Sequence, residues 1–223
     1  MKHFIYLSLL VPALSFGATV DSVLARMDTA ATNFRGMTSK IQMLSYTAII
    51  KESTEESGTI SLRGTKSKSV NALIHFVKPD EKSIAFRNKK VQIYLPKINT
   101  VQEYDMGKFD NLLTQGLLIG FATPAKEIRK SYIVKFLGEE TVGGQACSKL
   151  ELTPTQQEIL QHLSRLELWI NNTTGLPVQE KLFQQSGDYT QIIYSDMKLD
   201  PRLTDEQVQL KLPGNVKKEY PQK

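Results

Sequence analysis

The chain has 223 residues, 28 Lys and Arg against 23 Asp and Glu, a formal charge of +5 and a single cysteine. The charge is mild and spread over separate pairs (Lys66/Lys68, Lys89/Lys90, Arg129/Lys130, Lys217/Lys218), whereas a nucleic-acid binder concentrates it on one face; no nucleic-acid partner is expected. With Cys147 alone there is no intramolecular disulfide, so the fold must rest on its apolar core.

Residues 1–17 read as a cleavable secretory signal. Lys2 gives a positive start, Phe4–Leu14 is an apolar run, and Ser15-Phe16-Gly17 supplies small residues before a cut at Ala18. The run is too short for the ~20 residues of a membrane span. No cysteine adjoins the cut, so the expected mature chain, 18–223, is one domain, soluble, monomeric and unanchored in the periplasm.

Val20, Val23, Leu24, Met27, Ala31 and Phe34 recur at three- and four-residue steps and predict a helix that stops at Arg35-Gly36. From Thr38 the period becomes two: Ile41, Met43, Thr47 and Ile49 predict a long strand, ending in a polar turn over Glu52–Ser57. Strands are then expected at Thr59–Thr65, Ser69–Val77, Lys82–Arg87, Val91–Leu95 and Thr100–Tyr104. Their connections are too short for helices, so these strands form an antiparallel meander. Phe109, Leu112, Leu113, Leu117, Leu118 and Phe121 fall on one stripe of a predicted helix over Met106–Phe121. Thr123-Pro124 then caps a short second helix through Lys130.

Strands resume at Ile133–Glu139, turn at Gly143-Gly144 and continue at Ala146–Leu152. After a short helical excursion over Pro154–Leu163 come Leu166–Asn171, Pro177–Gln184 and Tyr189–Met197. Asn171-Asn172-Thr173 fits a glycosylation pattern, but turn chemistry before Gly175 explains it as well. The polar tail from Pro213 is expected to fray.

The predicted fold is mostly β with a helical lid: an unclosed, strongly curved antiparallel barrel of about eleven strands around the N-terminal helix and the central helical insert. Alternation puts Ile74, Phe76, Ile84, Phe86, Ile93 and Leu95 on inward faces. Alternation alone leaves open whether that face is solid core or lines a cavity. Catalytic signatures are lacking: there is no G-x-S-x-G, H-E-x-x-H or phosphate-cradling glycine loop. His75 lies in a strand between Ile74 and Phe76, where a structural role is the ordinary one. A non-enzymatic binding role without metal or cofactor is the expectation.

Lys78-Pro79-Asp80-Glu81-Lys82-Ser83, followed by Asn88-Lys89-Lys90-Val91-Gln92-Ile93-Tyr94-Leu95-Pro96, resembles the LolA-like family of periplasmic lipoprotein carriers and outer-membrane lipoprotein-sorting proteins. Val23–Met27, Gly58–Arg63 and Lys149–Pro154 match in the same order. The resemblance implies an open barrel whose apolar cavity takes lipoprotein acyl chains. It also implies cargo received from an inner-membrane ABC-type release complex and handed to an outer-membrane acceptor. The family's Arg-Pro pair reads Arg63-Gly64-Thr65 here, so Arg63 stands where the resemblance implies a lid latch, without the proline. Two other readings remain open: a lipid-sensing regulatory domain of the same fold, and an envelope hydrolase using His75.

Overall fold

The computed structural model describes residues 17–65, 70–87, 90–105, 119–199 and 202–221. It opens with helix α1, Val20–Asn33, closed at its start by a reciprocal box in which Thr19 Oγ1 accepts from Ser22 N and Ser22 Oγ accepts from Thr19 N. Val23, Leu24 and Met27 are fully buried, so the predicted stripe is the face that packs. Each such side chain contributes about 1.5–3 kcal/mol by leaving water.

Twelve strands, among the described residues, form one sheet: β1 Gly36–Thr47, β2 Glu52–Gly64, β3 Val70–Lys78, β4 Lys82–Arg87, β5 Lys90–Leu95, β6 Thr100–Asp105, β7 Tyr132–Val142, β8 Gln145–Pro154, β9 Arg165–Asn171, β10 Pro177–Phe183, β11 Tyr189–Leu199 and β12 Lys217–Glu219. Their order is β12-β6-β5-β4-β3-β2-β1-β11-β10-β9-β8-β7. Two antiparallel meanders, β1–β6 and β7–β11, are therefore joined where β1 pairs with β11, and the ends of the sheet, β12 and β7, do not meet. So wide a twisted sheet curls, and its concave face wraps α1. Two short helices, α2 Ala125–Ser131 and α3 Gln157–Leu160, complete the architecture.

Several boundaries differ from expectation. The turn after β1 is Ala48–Lys51, and Glu52–Ser57, expected as a turn, belongs to β2. Its residues Glu52–Glu55 are exposed, so a paired strand here has no apolar face to announce it. Beyond Pro213 the chain adds β12, parallel to β6, instead of fraying; its bonds come from backbone groups, which composition does not reveal. Helix α2 starts one residue past Pro124 and takes its cap from elsewhere: Asp28 Oδ1 of α1 accepts from Ala125 N at 2.6 Å. Asn171 Oδ1 accepts from the N–H groups of Thr173 and Thr174, both at 2.8 Å, which is the turn chemistry expected there. The helix expected over Met106–Phe121 lies outside the described residues up to 118; Ile119–Phe121 form a turn.

One glycine fixes the meander. A Cβ on Gly58 would lie 1.9 Å from the His75 carbonyl oxygen, at the bulge where β2 slips against β3. Only a residue without a side chain lets the two backbones approach this closely.

Candidate functional site

The concave wall is built from strand alternation. Ile74, Ile84 and Ile93 stand in register across β3, β4 and β5, with Ala72, Phe86 and Val91 as the next row. Ile74, Phe76 and Phe86 are buried in the main core, and Ile84 and Ile93 pack against it half-buried. Leu95 pairs with Thr100 near the end of β5, half-buried and outside that cluster. Of the expected stripe, Phe109, Leu112, Leu113, Leu117 and Leu118 lie outside the described residues.

Phe121, the last residue of that stripe, and Gly120 before it pack against the sheet. Gly120, at φ 94°, is so close to Pro177 that a Cβ would meet the proline ring at 3.3 Å. Phe121 is fully buried, edge-on to Tyr194 with ring centres 5.2 Å apart and tilted against Phe34 at 6.2 Å. The stretch that carries Phe109–Leu118 thus ends against Pro177 and Tyr194.

That is also where the sheet parts. The β10–β11 ladder runs from Gln179↔Ile193 to Phe183↔Tyr189 and stops. Pro177 has no N–H to continue it, and β10 bulges at Val178. Past Ile193, β11 is paired with β1 alone and kinks at Asp196, whose φ is 52°. The divergence leaves a cleft of about 480 Å³ lined by Leu176, Val178, Tyr194, Met197, Leu199 and the polar Gln145, Thr174 and Asp196. Leu176 and Tyr194 belong to the main core and Met197 packs against it, so the cleft shares its wall with the barrel interior. Its size falls within the range of small-molecule sites.

Sequence reading missed one buried carboxyl. Glu180 of β10 faces the core between Leu168 of β9 and Ile192 of β11, and it is completely buried. Among the described residues neither of its oxygens has a hydrogen-bond partner of normal geometry. Burial pushes its titration well above the usual carboxylate range, opposed only by the nearby Tyr194 hydroxyl. Burial, then the Glu180 charge, likewise pushes the Tyr194 phenol up.

Arg63 points away from this wall, because Ile60 and Leu62 occupy the core face of β2. Its Nε donates to the Leu203 carbonyl and its Nη1 pairs with Asp205, both at 2.7 Å. With Arg87 donating to Gln209 at 2.6 Å, it straps the segment containing buried Leu203 and Val208 over the outer face. The lid that the resemblance has Arg63 latch lies outside the described residues.

His75 also faces outward, with Nδ1 3.0 Å from Ser83 Oγ and Nε2 3.9 Å from Glu81. The His75 and Glu81 side chains are 40% and 59% exposed, in the solvent-facing setting of a structural strand histidine. Cys147 is buried beside Trp169 and Val178, and burial raises its thiol, which keeps it protonated and unreactive. Trp169 donates to Glu140 at 2.5 Å under a Lys149 ammonium 4.5 Å from its ring. At the β1–β2 tip, Ile49 and Ile50 are 90% and 59% exposed, above the stacked rings of Tyr46 and Tyr189. Among the described residues no helix is long and apolar enough to cross a membrane, and no cluster of His, Cys, Asp and Glu forms a metal site.

A family model described as "-like: Uncharacterized protein" matches residues 68–199, more than half of the chain. No curated protein matches the sequence. Among solved structures, an uncharacterized conserved protein from Thermus thermophilus aligns with a TM-score of 0.56 at 14% identity, over 90% of this chain and 98% of that one. MucB aligns with a TM-score of 0.54 at 16% identity, over 86% of this chain and 62% of its own, so this chain spans about three-fifths of MucB. A LolA superfamily protein from Nitrosomonas europaea aligns at 15% identity and a TM-score of 0.43, over 86% of this chain and 98% of that one. At such identities the likeness is one of fold.

Proposed function

The chain belongs to a family of uncharacterized proteins whose model spans residues 68–199 and has the unclosed, curved barrel of a LolA-like fold, and from that premise we propose that it is a periplasmic carrier that shields acyl chains of lipoproteins or lipids. The observation that carries this reading is the cleft of about 480 Å³ between β10 and β11, walled in part by the core side chains Leu176 and Tyr194 and adjoined at Tyr194 by Phe121. The signal-like segment 1–17 supports export, and the mature chain is read as one domain acting without cofactor or catalysis.

A carrier must offset the cost of exposing acyl chains. Each methylene taken out of a bilayer into water costs about 0.8 kcal/mol, so a lipid with several chains does not leave unaided. A cleft whose Leu176 and Tyr194 belong to the same core as Ile74, Phe76 and Phe86 offers burial in exchange. In this reading Phe109, Leu112, Leu113, Leu117 and Leu118 cover the cavity when it is empty and swing aside when it fills. The exposed Ile49-Ile50 tip, with two tyrosines behind it, suits transient contact with a bilayer interface. Collection from an inner-membrane ABC-type complex and delivery to an outer-membrane acceptor complete the proposal.

Leu113→Asn is the direct test. The wild type should bind a fluorescent acyl probe saturably and extract a lipopeptide from vesicles, and Leu113→Asn should lose most of the extraction while keeping its fold by circular dichroism. Unchanged extraction by the variant, or absence of saturable binding by the wild type, removes the carrier reading. The hydrolase reading has its own check: His75→Ala should leave all function intact, since its ring is solvent-facing.

A further inference from the structure

A carboxyl in a dry core is costly unless something pairs with it. Glu180 is fully buried among Leu168, Leu182 and Ile192; among the described residues no hydrogen bond of normal geometry reaches either oxygen, and the Tyr194 hydroxyl is the polar group close enough to act on it. Tyr194 is its polar neighbour and also lines the cleft, so one side chain separates the carboxyl from the open volume. Phe121 rests edge-on against that same ring. The cleft is apolar at Leu176, Val178, Met197 and Leu199, which suits a hydrocarbon tail; Glu180 does not itself line it but lies behind the Tyr194 wall.

We propose that Glu180, reached past the Tyr194 ring, is the polar anchor of the cleft and hydrogen-bonds the ester or amide carbonyl of an acylated ligand. This rests on the reading of the cleft as an acyl site and adds the part of the ligand it recognises. Burial without a cation keeps the carboxyl protonated, so it has an O–H to donate, and a carbonyl is the acceptor that an acylated molecule carries at the head of its chain. Among the described residues no charged side chain acts on the Glu180 titration; Arg165 and Glu167 pair with each other on β9, Lys40 with Asp196 on β11, and Arg26 of α1 bonds Ser148 and Asn172 through Nη2, its buried Nε having no hydrogen-bond partner among those residues. A cationic headgroup would instead require Glu180 to ionise in that apolar setting.

The test uses the full mature chain, two probes and two variants. Monolauroylglycerol carries an ester; the fluorescent hydrocarbon diphenylhexatriene carries no carbonyl. Wild type should bind both. Glu180→Leu should weaken the ester probe about tenfold, the value of one hydrogen bond, and leave the hydrocarbon within about twofold. Glu180→Gln, whose amide still donates, should stay within about twofold for both. In infrared difference spectra, the protonated carboxyl band that disappears in Glu180→Gln should shift when wild type takes up the ester and stay still with the hydrocarbon.

An ester affinity unchanged in Glu180→Leu overturns the anchor, as does an unmoved carboxyl band; the band requires no variant to bind. Loss of the ester in Glu180→Gln equal to that in Glu180→Leu means that charge is read, and overturns it too. A wild type that binds the hydrocarbon but fails these checks loses only the anchor. A wild type that binds neither probe loses both the anchor and the carrier reading.

Discussion

Glu180→Gln should abolish a steep loss of wild-type stability with rising pH. The Glu180 carboxyl titrates well above its ordinary value of 4.5 in the folded protein, with burial as the cause. Above that ordinary value the unfolded chain releases this proton while the folded chain keeps it. Stability is therefore fully present below pH 4.5 and falls as pH rises toward the folded value, roughly tenfold in the folding equilibrium constant for each pH unit in that window. Tyr194 is the titratable group beside Glu180, and its own titration is also pushed up, from an ordinary 10.0; Cys147 is raised from 9.0. Both act only at the alkaline end. Glu103, Glu140, Asp196 and Glu219 are lowered by their hydrogen-bonded partners and act in the opposite sense, losing stability only as pH falls through the acid range. Urea midpoints of wild type and Glu180→Gln across neutral pH isolate the effect. Parallel curves would mean that Glu180 ionises freely in the fold.

Phe121→Ala should cost about 3–5 kcal/mol, the range for deleting a buried aromatic ring. Phe121 is fully buried and touches both halves of the interior: Phe34 after α1 and Tyr194 at the cleft. Removing it leaves a void against Tyr194 and frees the Gly120 turn from Pro177. The expected result is a large drop in urea midpoint together with weaker acyl-probe binding. Phe121→Leu, which refills much of the volume, should recover most of the stability. A Phe121→Ala variant as stable as wild type would show that the turn is not seated as described.

What the sequence disclosed follows from which residues carry a periodic signal. Helix α1 was legible because Val23, Leu24 and Met27 repeat at helical spacing and pack against one sheet face. The inward rows on β3 to β5 were legible because Ile74, Ile84 and Ile93 each stand beside a polar residue, His75, Ser83 and Gln92, on the opposite face of the strand. Glu180 was not, because Gln179-Glu180-Lys181 is polar throughout and the Val178 bulge changes which side chain turns inward. The start of β2 was hidden for the related reason that both its faces meet solvent at Glu52–Glu55. The cleft arises from a ladder that stops at Gln179↔Ile193, and Pro177 was its one local sign. Arg63 was singled out by resemblance; its bonds to Leu203 and Asp205 depend on a segment 140 residues further along the chain, a distance no local pattern spans.

Mass spectrometry of lipid extracted from the protein purified without detergent tests the carrier reading most directly. The account predicts an acyl-bearing species, ester- or amide-linked, in near-stoichiometric amount and lost from Leu113→Asn. Extracts with no acyl species above the level of an unrelated periplasmic protein would contradict it, and would make the concave face of the barrel an ordinary filled core.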